Sequence, residues 1–312
     1  MTKTVAIPKG LAQVGKQILK DKGYNIIETE NTQEDIIAKA PNADGLILMT
    51  EPFDNETIGK LKKLKIIARH GVGYDNLDQD VAGKQKIWVT ITPNANAATV
   101  AETTLAMIFV VSKNILKLSN LMLQGHQDVN AKYLGFDLAG KKLGIMGYGR
   151  IGKMVAKKAA NLDMDILIYD PFVKETKIGR LVSREELLKQ ADVITLHLAV
   201  TEETKNGIGR EEFEMMKPSA TLINLGRGAL IDEVALINAL QTKQIAQAAL
   251  DVFEVEPLPT DSPFFNLDNV ILTPHIASNT VETMDRMATD AANEIVRVLE
   301  GNDPNWPVNQ LG

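Results

Sequence analysis

Short runs of Val, Ile and Leu alternate with longer helix-compatible stretches along almost the whole chain, and this alternation restricts the fold more than any other feature. Repeated strand-helix units build parallel sheets, because each helix carries the chain back to start the next strand in the same direction. In the first third the runs predict strands near residues 4–8, 24–29, 45–49, 64–69 and 88–92, enough for one small doubly wound sheet. From Leu143 a second series predicts strands near 143–147, 165–169, 192–197, 220–225, 246–251 and 269–273. Six strands is the count of a dinucleotide-binding fold. Between the two series, residues 98–124 read as one long apolar helix linking two domains, with an aliphatic excess suited to a subunit interface. The helical stretch at 280–300 follows the completed second series and is expected to return to the first domain. The expected architecture is α/β, with a Rossmann dinucleotide-binding domain over 98–280 and a smaller flavodoxin-like domain built from 1–97 and 281–312.

At 312 residues the chain is long for a single core, which supports two domains. Its 45% hydrophobic and 24% charged residues are ordinary for a globular protein. A formal charge of −6 opposes attraction to nucleic-acid backbones or anionic lipid. With no cysteine there is no disulfide, thiolate metal site or thiol nucleophile, which fits a cytoplasmic protein. The stretch Leu105 to Val111 falls far short of the roughly 20 apolar residues that span a bilayer, so no membrane partner is expected.

The apolar run from Leu143 opens directly into Gly147-Tyr148-Gly149-Arg150-Ile151-Gly152 and then into a helical stretch at 153–161. Glycines at that spacing also arise in ordinary turns, but a strand before and a helix after give them weight. The first two permit a tight turn and close approach of backbone to a pyrophosphate, the third permits helix-strand packing, and the helix N-terminus supplies partial positive charge. Asp170, 18 residues past Gly152, is placed to accept hydrogen bonds from both hydroxyls of an adenosine ribose. That favours NAD over NADP, whose 2′-phosphate it would repel; the plainer alternative is a cap before the loop at Pro171.

Only four histidines, His70, His126, His197 and His275, are available to carry a proton. In the usual strand order 3-2-1-4-5-6, His197 at the end of the third predicted strand falls near the adenosine half of a cofactor. Thr204 is expected as a further cofactor contact. Arg227, Asp251 and His275 end or follow the fourth, fifth and sixth strands, beside the reacting end. A carboxylate next to a histidine favours the imidazolium, and Glu256 lies in the loop between the last two strands. In a purely structural reading His275 caps a strand end and Glu256 is a solvated loop residue. Arg227 stands between Gly226 and Gly228 after a buried strand, and its forked guanidinium suits a carboxylate. The segment Arg69-His70-Gly71-Val72-Gly73-Tyr74-Asp75-Asn76 follows another apolar strand and is either an anion nest or a simple strand exit.

Taken in order, Gly71-Val72-Gly73-Tyr74-Asp75-Asn76, Val100-Ala101-Glu102, Gly147 to Gly152, Asp170, Asn224-Leu225-Gly226-Arg227-Gly228, Asp251 to Pro257 and Thr273-Pro274-His275-Ile276-Ala277 resemble the D-isomer-specific 2-hydroxyacid dehydrogenase family across almost the whole chain. The similarity is to its phosphoglycerate dehydrogenase and hydroxypyruvate reductase branch. The resemblance implies a homodimer that uses NAD to interconvert a small 2-keto acid and a D-2-hydroxy acid, with no metal. It implies His275 as acid/base, Glu256 as its partner and Arg227 as anchor of the substrate carboxylate and carbonyl. It further implies Asp251 at the nicotinamide amide and the backbone of Val72 and Gly73 at the substrate carboxylate. Arg69 aligns with a phosphate-binding arginine of some phosphoglycerate dehydrogenases, although members acting on other acids carry arginine there too. The alternative is an NAD-sensing interaction protein with little turnover, like the family's transcriptional corepressors.

Overall fold

The structure, a computed structural model, describes residues 2–129 and 132–312. Along the chain come β1 (Thr4–Pro8), α1 (Gln13–Asp21), β2 (Asn25–Thr29), α2 (Gln33–Lys39), β3 (Gly45–Leu48), α3 (Asn55–Lys60), β4 (Ile66–Arg69), α4 (Gln79–Lys84) and β5 (Trp88–Thr90). They are followed by α5 (Ala97–Ser112), α6 (Ile115–Leu123), β6 (Lys142–Met146), α7 (Arg150–Ala160), β7 (Asp165–Tyr169), β8 (Arg180–Leu181), α8 (Arg184–Gln190), β9 (Val193–Leu196) and α9 (Arg210–Met215). The last elements are β10 (Thr221–Asn224), α10 (Glu233–Gln241), β11 (Gln247–Leu250), β12 (Val270–Leu272) and α11 (Val281–Leu299). The chain divides into two compact units, one of Met1–Asn96 with Asn279–Gly312 and one of Ala97–Ser278.

In the first unit five parallel strands pair in the order β2-β1-β3-β4-β5, the flavodoxin-like arrangement. Side chains on a strand alternate between faces, and here both faces are covered. Val5, Ile7, Ile47, Ile66 and Ala68 pack with Leu19 of α1 and Ile295 of α11, whereas Ala6, Leu46, Leu48 and Ile67 pack with Ile36 of α2 and Ile58 of α3. Residues beyond α11 cover the edge strand β5, where Val308 N donates to Val89 O at 2.9 Å and Val89 N to Asn309 Oδ1 at 2.9 Å.

The second unit is a seven-stranded parallel sheet, β12-β11-β10-β9-β6-β7-β8, with a Rossmann core. This corrects the expected six strands. The added strand β8 is two residues long, too short to show as an aliphatic run, and it takes the third place beside β7. The strand that ends before His197 is therefore fourth, paired to β6 on the side away from β7, and His197 stands at the switch point rather than outboard of Asp170.

The long helix expected over 98–124 is also corrected: it breaks into α5 and α6, inclined at 61°. Asn114 takes a left-handed φ of +52°, and its side-chain amide donates to the carbonyls of Tyr133 at 3.3 Å and Leu134 at 3.1 Å. The returning chain then caps α5, with Phe136 N donating to Ser112 O at 2.8 Å. Among the described residues no single helix is long and apolar enough to cross a membrane.

Candidate active site

Nearly every site residue expected in the second unit lies at or just beyond the C-terminal end of a parallel strand. Gly147 follows β6, Asp170 follows β7, His197 follows β9, Arg227 lies past β10, Asp251 follows β11 and His275 lies past β12. Thr204 and Glu256 sit in the loops after β9 and β11. Parallel packing thus collects residues over 100 positions apart along one edge, the ligand-binding edge of open α/β sheets.

The glycine turn between β6 and α7 is tightly determined. Gly147 has φ +96°, and a Cβ there would lie 2.5 Å from the His197 carbonyl oxygen, so β6 and β9 approach each other only with glycine. At Gly149, by contrast, a Cβ would meet nothing within 4 Å. That opening lies at the N-terminus of α7, which no side chain caps, beside Arg150 and Ile151. The Asp170 carboxylate accepts from Tyr148 N at 2.7 Å and from Phe172 N at 2.9 Å, which fixes it against the glycine turn. Open space, uncapped helix amides and a fixed carboxylate fit a dinucleotide, with its pyrophosphate at the amides and its ribose at Asp170. His197 meets Thr195 Oγ1 at 3.1 Å through Nε2; the residue is half-buried, and desolvation pushes its pKa down to about 4 and keeps it neutral. The Thr204 hydroxyl donates to Ala199 O at 2.7 Å and accepts from Thr201 N at 2.7 Å, closing the loop after β9.

At the other end of this edge, His275 Nδ1 and Glu256 Oε2 are 2.7 Å apart, while Glu256 Oε1 accepts from Phe253 N at 3.0 Å. Burial opposes charge on Glu256, yet the His275 hydrogen bond, the Phe253 amide and the positive field of Arg227 together hold its carboxyl below the usual range. His275 has φ +53°, a left-handed conformation that costs a non-glycine residue about 1–2 kcal/mol. Fully buried Asp251 holds it there, accepting from Thr273 Oγ1 at 2.5 Å, Ile276 N at 2.8 Å and Ala277 N at 2.8 Å, while its own carbonyl accepts from His275 N at 2.8 Å. The backbone turn at Arg227 is held by Asn224, whose side chain accepts from Gly226 N at 3.0 Å and donates to Arg227 O at 2.8 Å, while the guanidinium Nη1 donates to Gly226 O at 2.8 Å. A Cβ on Gly228 would overlap the Phe253 backbone, so the loop bearing Arg227 and the loop bearing Glu256 pack backbone to backbone.

The other three expected residues form a constellation of their own in the first unit. Arg69 ends β4 and is only 4% exposed; its Nε donates to Gly73 O at 2.8 Å, and its Nη1 donates to Leu48 O at 2.6 Å and to Met49 O. Val72 and Gly73 follow Gly71, whose φ of +149° turns the chain out of the strand.

Residues 105–277 match the profile of the NAD-binding domain of the D-isomer specific 2-hydroxyacid dehydrogenases. The chain belongs to this family. Its members are oxidoreductases, and the match covers the glycine turn after β6, Arg227, Glu256 and His275. The D-3-phosphoglycerate dehydrogenase of Methanocaldococcus jannaschii is 40% identical over 309 residues, 95% of this chain, which spans 59% of that relative's length. The glyoxylate reductase of Korarchaeum cryptofilum is 39% identical over 291 residues, 91% of this chain and 88% of that protein. The crystal structure of the TT0316 protein from Thermus thermophilus superposes with a TM-score of 0.91 at 34% identity, covering 98% of this chain and 99% of that one.

Two further residues support this site. Asn224 and Thr273 contribute through side-chain bonds to the turn at Arg227 and to Asp251. Asn224 had a local signal, an Asx turn to the amide two residues on. Thr273 had none, because its partner is 22 residues away.

Proposed function

We propose that the protein is an NAD-dependent D-2-hydroxyacid dehydrogenase that interconverts a small 2-keto acid and its 2-hydroxy acid. The observation that carries this reading is the His275–Glu256 pair at 2.7 Å, with Arg227 on the adjoining loop and the dinucleotide cradle on the same sheet edge. The bound cofactor supplies or accepts the hydride. Glu256 holds the imidazole through Nδ1 and stabilises its protonated form, which leaves Nε2 to deliver a proton to the keto oxygen as negative charge develops there. In the reverse direction neutral His275 takes the hydroxyl proton. The Arg227 guanidinium binds the substrate carboxylate and polarises the carbonyl. In the first unit the amides of Val72 and Gly73 form a nest suited to a carboxylate. Asp170 favours NAD, because its fixed negative charge repels a 2′-phosphate. Similarity to a phosphoglycerate dehydrogenase and a glyoxylate reductase supports a short 2-keto acid as substrate. The exposed aliphatic side chains of α6 support a homodimer.

The test is oxidation of NADH and NADPH with a panel of short 2-keto acids, repeated with His275→Ala. The wild type is expected to prefer NADH, and the variant to lose roughly 10²- to 10⁴-fold in turnover while NADH affinity changes less than about threefold. A variant as active as the wild type would remove His275 from the mechanism.

A further inference from the structure

We propose that Arg69 is a positioning residue that binds two loops of the first unit together, and that the substrate of this chain is accordingly an unphosphorylated 2-keto acid. The inference rests on the dehydrogenase reading above and narrows its substrate class. Three of the five guanidinium N–H groups go to the carbonyls of Leu48, Met49 and Gly73. Those carbonyls turn the negative ends of their dipoles toward the guanidinium, at a side chain only 4% exposed. An arginine that recognises a phosphate dianion presents its planar fork to the ligand, and this one presents most of it to backbone.

Its bonds instead define two loops. Met49 O accepts both from Arg69 Nη1 and from Asn76 Nδ2, the latter at 3.0 Å, and Asn76 Nδ2 also donates to Glu51 O at 2.6 Å. Phe53 N donates to Asn76 O at 2.8 Å. Residues 49–53 and 70–76 are therefore stitched from both sides, and the bond to Gly73 O holds the turn that carries the Val72 and Gly73 amides. The charges of the two loops agree with this. Beyond buried Arg69 and a histidine kept neutral by burial, residues 49–54 and 70–76 carry Glu51, Asp54 and Asp75 and no lysine or arginine. The Asp54 carboxylate caps α3, accepting from Thr57 N at 2.7 Å. These loops add no surface cation for a phosphate dianion, whereas a single carboxylate held by oriented amides needs none.

The experiment measures steady-state kinetics with hydroxypyruvate, glyoxylate and 3-phosphohydroxypyruvate for wild type and Arg69→Gln, together with amide hydrogen exchange of both proteins. The wild type is expected to favour the unphosphorylated acids at least tenfold in kcat/KM. Arg69→Gln should raise KM for every acid by a similar factor, with kcat changed less than about threefold and faster exchange in 49–53 and 70–76. Arg69→Lys, which keeps the charge but offers only a point-like ammonium, should show the same pattern more weakly and serves if the glutamine variant does not fold. A wild-type preference for the phosphorylated acid that Arg69→Gln selectively abolishes overturns the inference. If no acid is turned over, the dehydrogenase reading fails by itself, and the exchange data still decide the role of Arg69: loops as protected in the variant as in the wild type overturn it.

Discussion

At the scale of single residues, the site depends on charges whose environments differ sharply. Glu256 stays ionised through neutral pH because the bonds from His275 and Phe253 outweigh its partial burial. Replacing it with Gln removes the carboxylate that holds the His275 imidazole through Nδ1, and kcat for keto-acid reduction should fall about tenfold with NADH affinity changed less than about threefold. Turnover equal to that of the wild type would show that Glu256 does not act through His275. His70 behaves oppositely. It is 9% exposed, its Nε2 lacks a hydrogen-bond partner among the described residues, and burial lowers its pKa to about 4 despite a hydrogen bond to the Met284 backbone. Between its unfolded value near 6.5 and about 4 the unfolded chain binds the proton and the folded chain does not, so stability falls as pH drops through that window. At pH 5 the loss from this one group is roughly 2 kcal/mol, and urea denaturation of His70→Gln should show a correspondingly smaller decline between pH 7 and pH 5.

Among the elements, the break between α5 and α6 decides where an aliphatic face is left exposed. A continuous helix would have carried its apolar residues along one axis, but the left-handed Asn114 turns α6 away from α5. None of its residues is buried, and Met122 and Leu123 are 58% and 84% exposed. Aliphatic side chains gathered on one short helix are costly in water and suited to a second copy of the chain. Sedimentation should therefore find twice the 34.2 kDa chain mass for the wild type, and Leu123→Glu should shift the equilibrium toward the single chain with little change in far-UV circular dichroism. A wild type that sediments as a single chain at micromolar concentration would count against the dimer. Parallel strands arrange the site itself: β6, β9, β10, β11 and β12 end on one edge, so their loops need only short reaches to converge.

For the whole molecule, the division into two units with separate cores gives the cofactor a local effect on stability. NADH at about 100 times its dissociation constant stabilises the state it binds by roughly 2.7 kcal/mol. Hydrogen exchange should slow more in 143–152 and 165–170 than in β1 and β2, and a gain confined to the first unit would overturn the assignment of the cradle. Much of this organisation is legible in the sequence. Parallel strands buried on both faces must be aliphatic, which is why β1, β3, β4 and β6 stand out as runs, and the glycine turn and its following carboxylate are local in the chain. Strand β8 escapes notice because two residues leave no periodicity, and the helix break because its cap arrives from residues 133–136. Local patterns in the chain specify the two α/β sheets, the glycine turn and the residue types available for proton transfer. Strand pairing and long-range packing place His197 at the switch point, clamp His275 with Asp251 and turn Arg69 toward backbone carbonyls. Those outcomes depend on pairing order and on hydrogen bonds between segments far apart in the chain, and no local pattern records them.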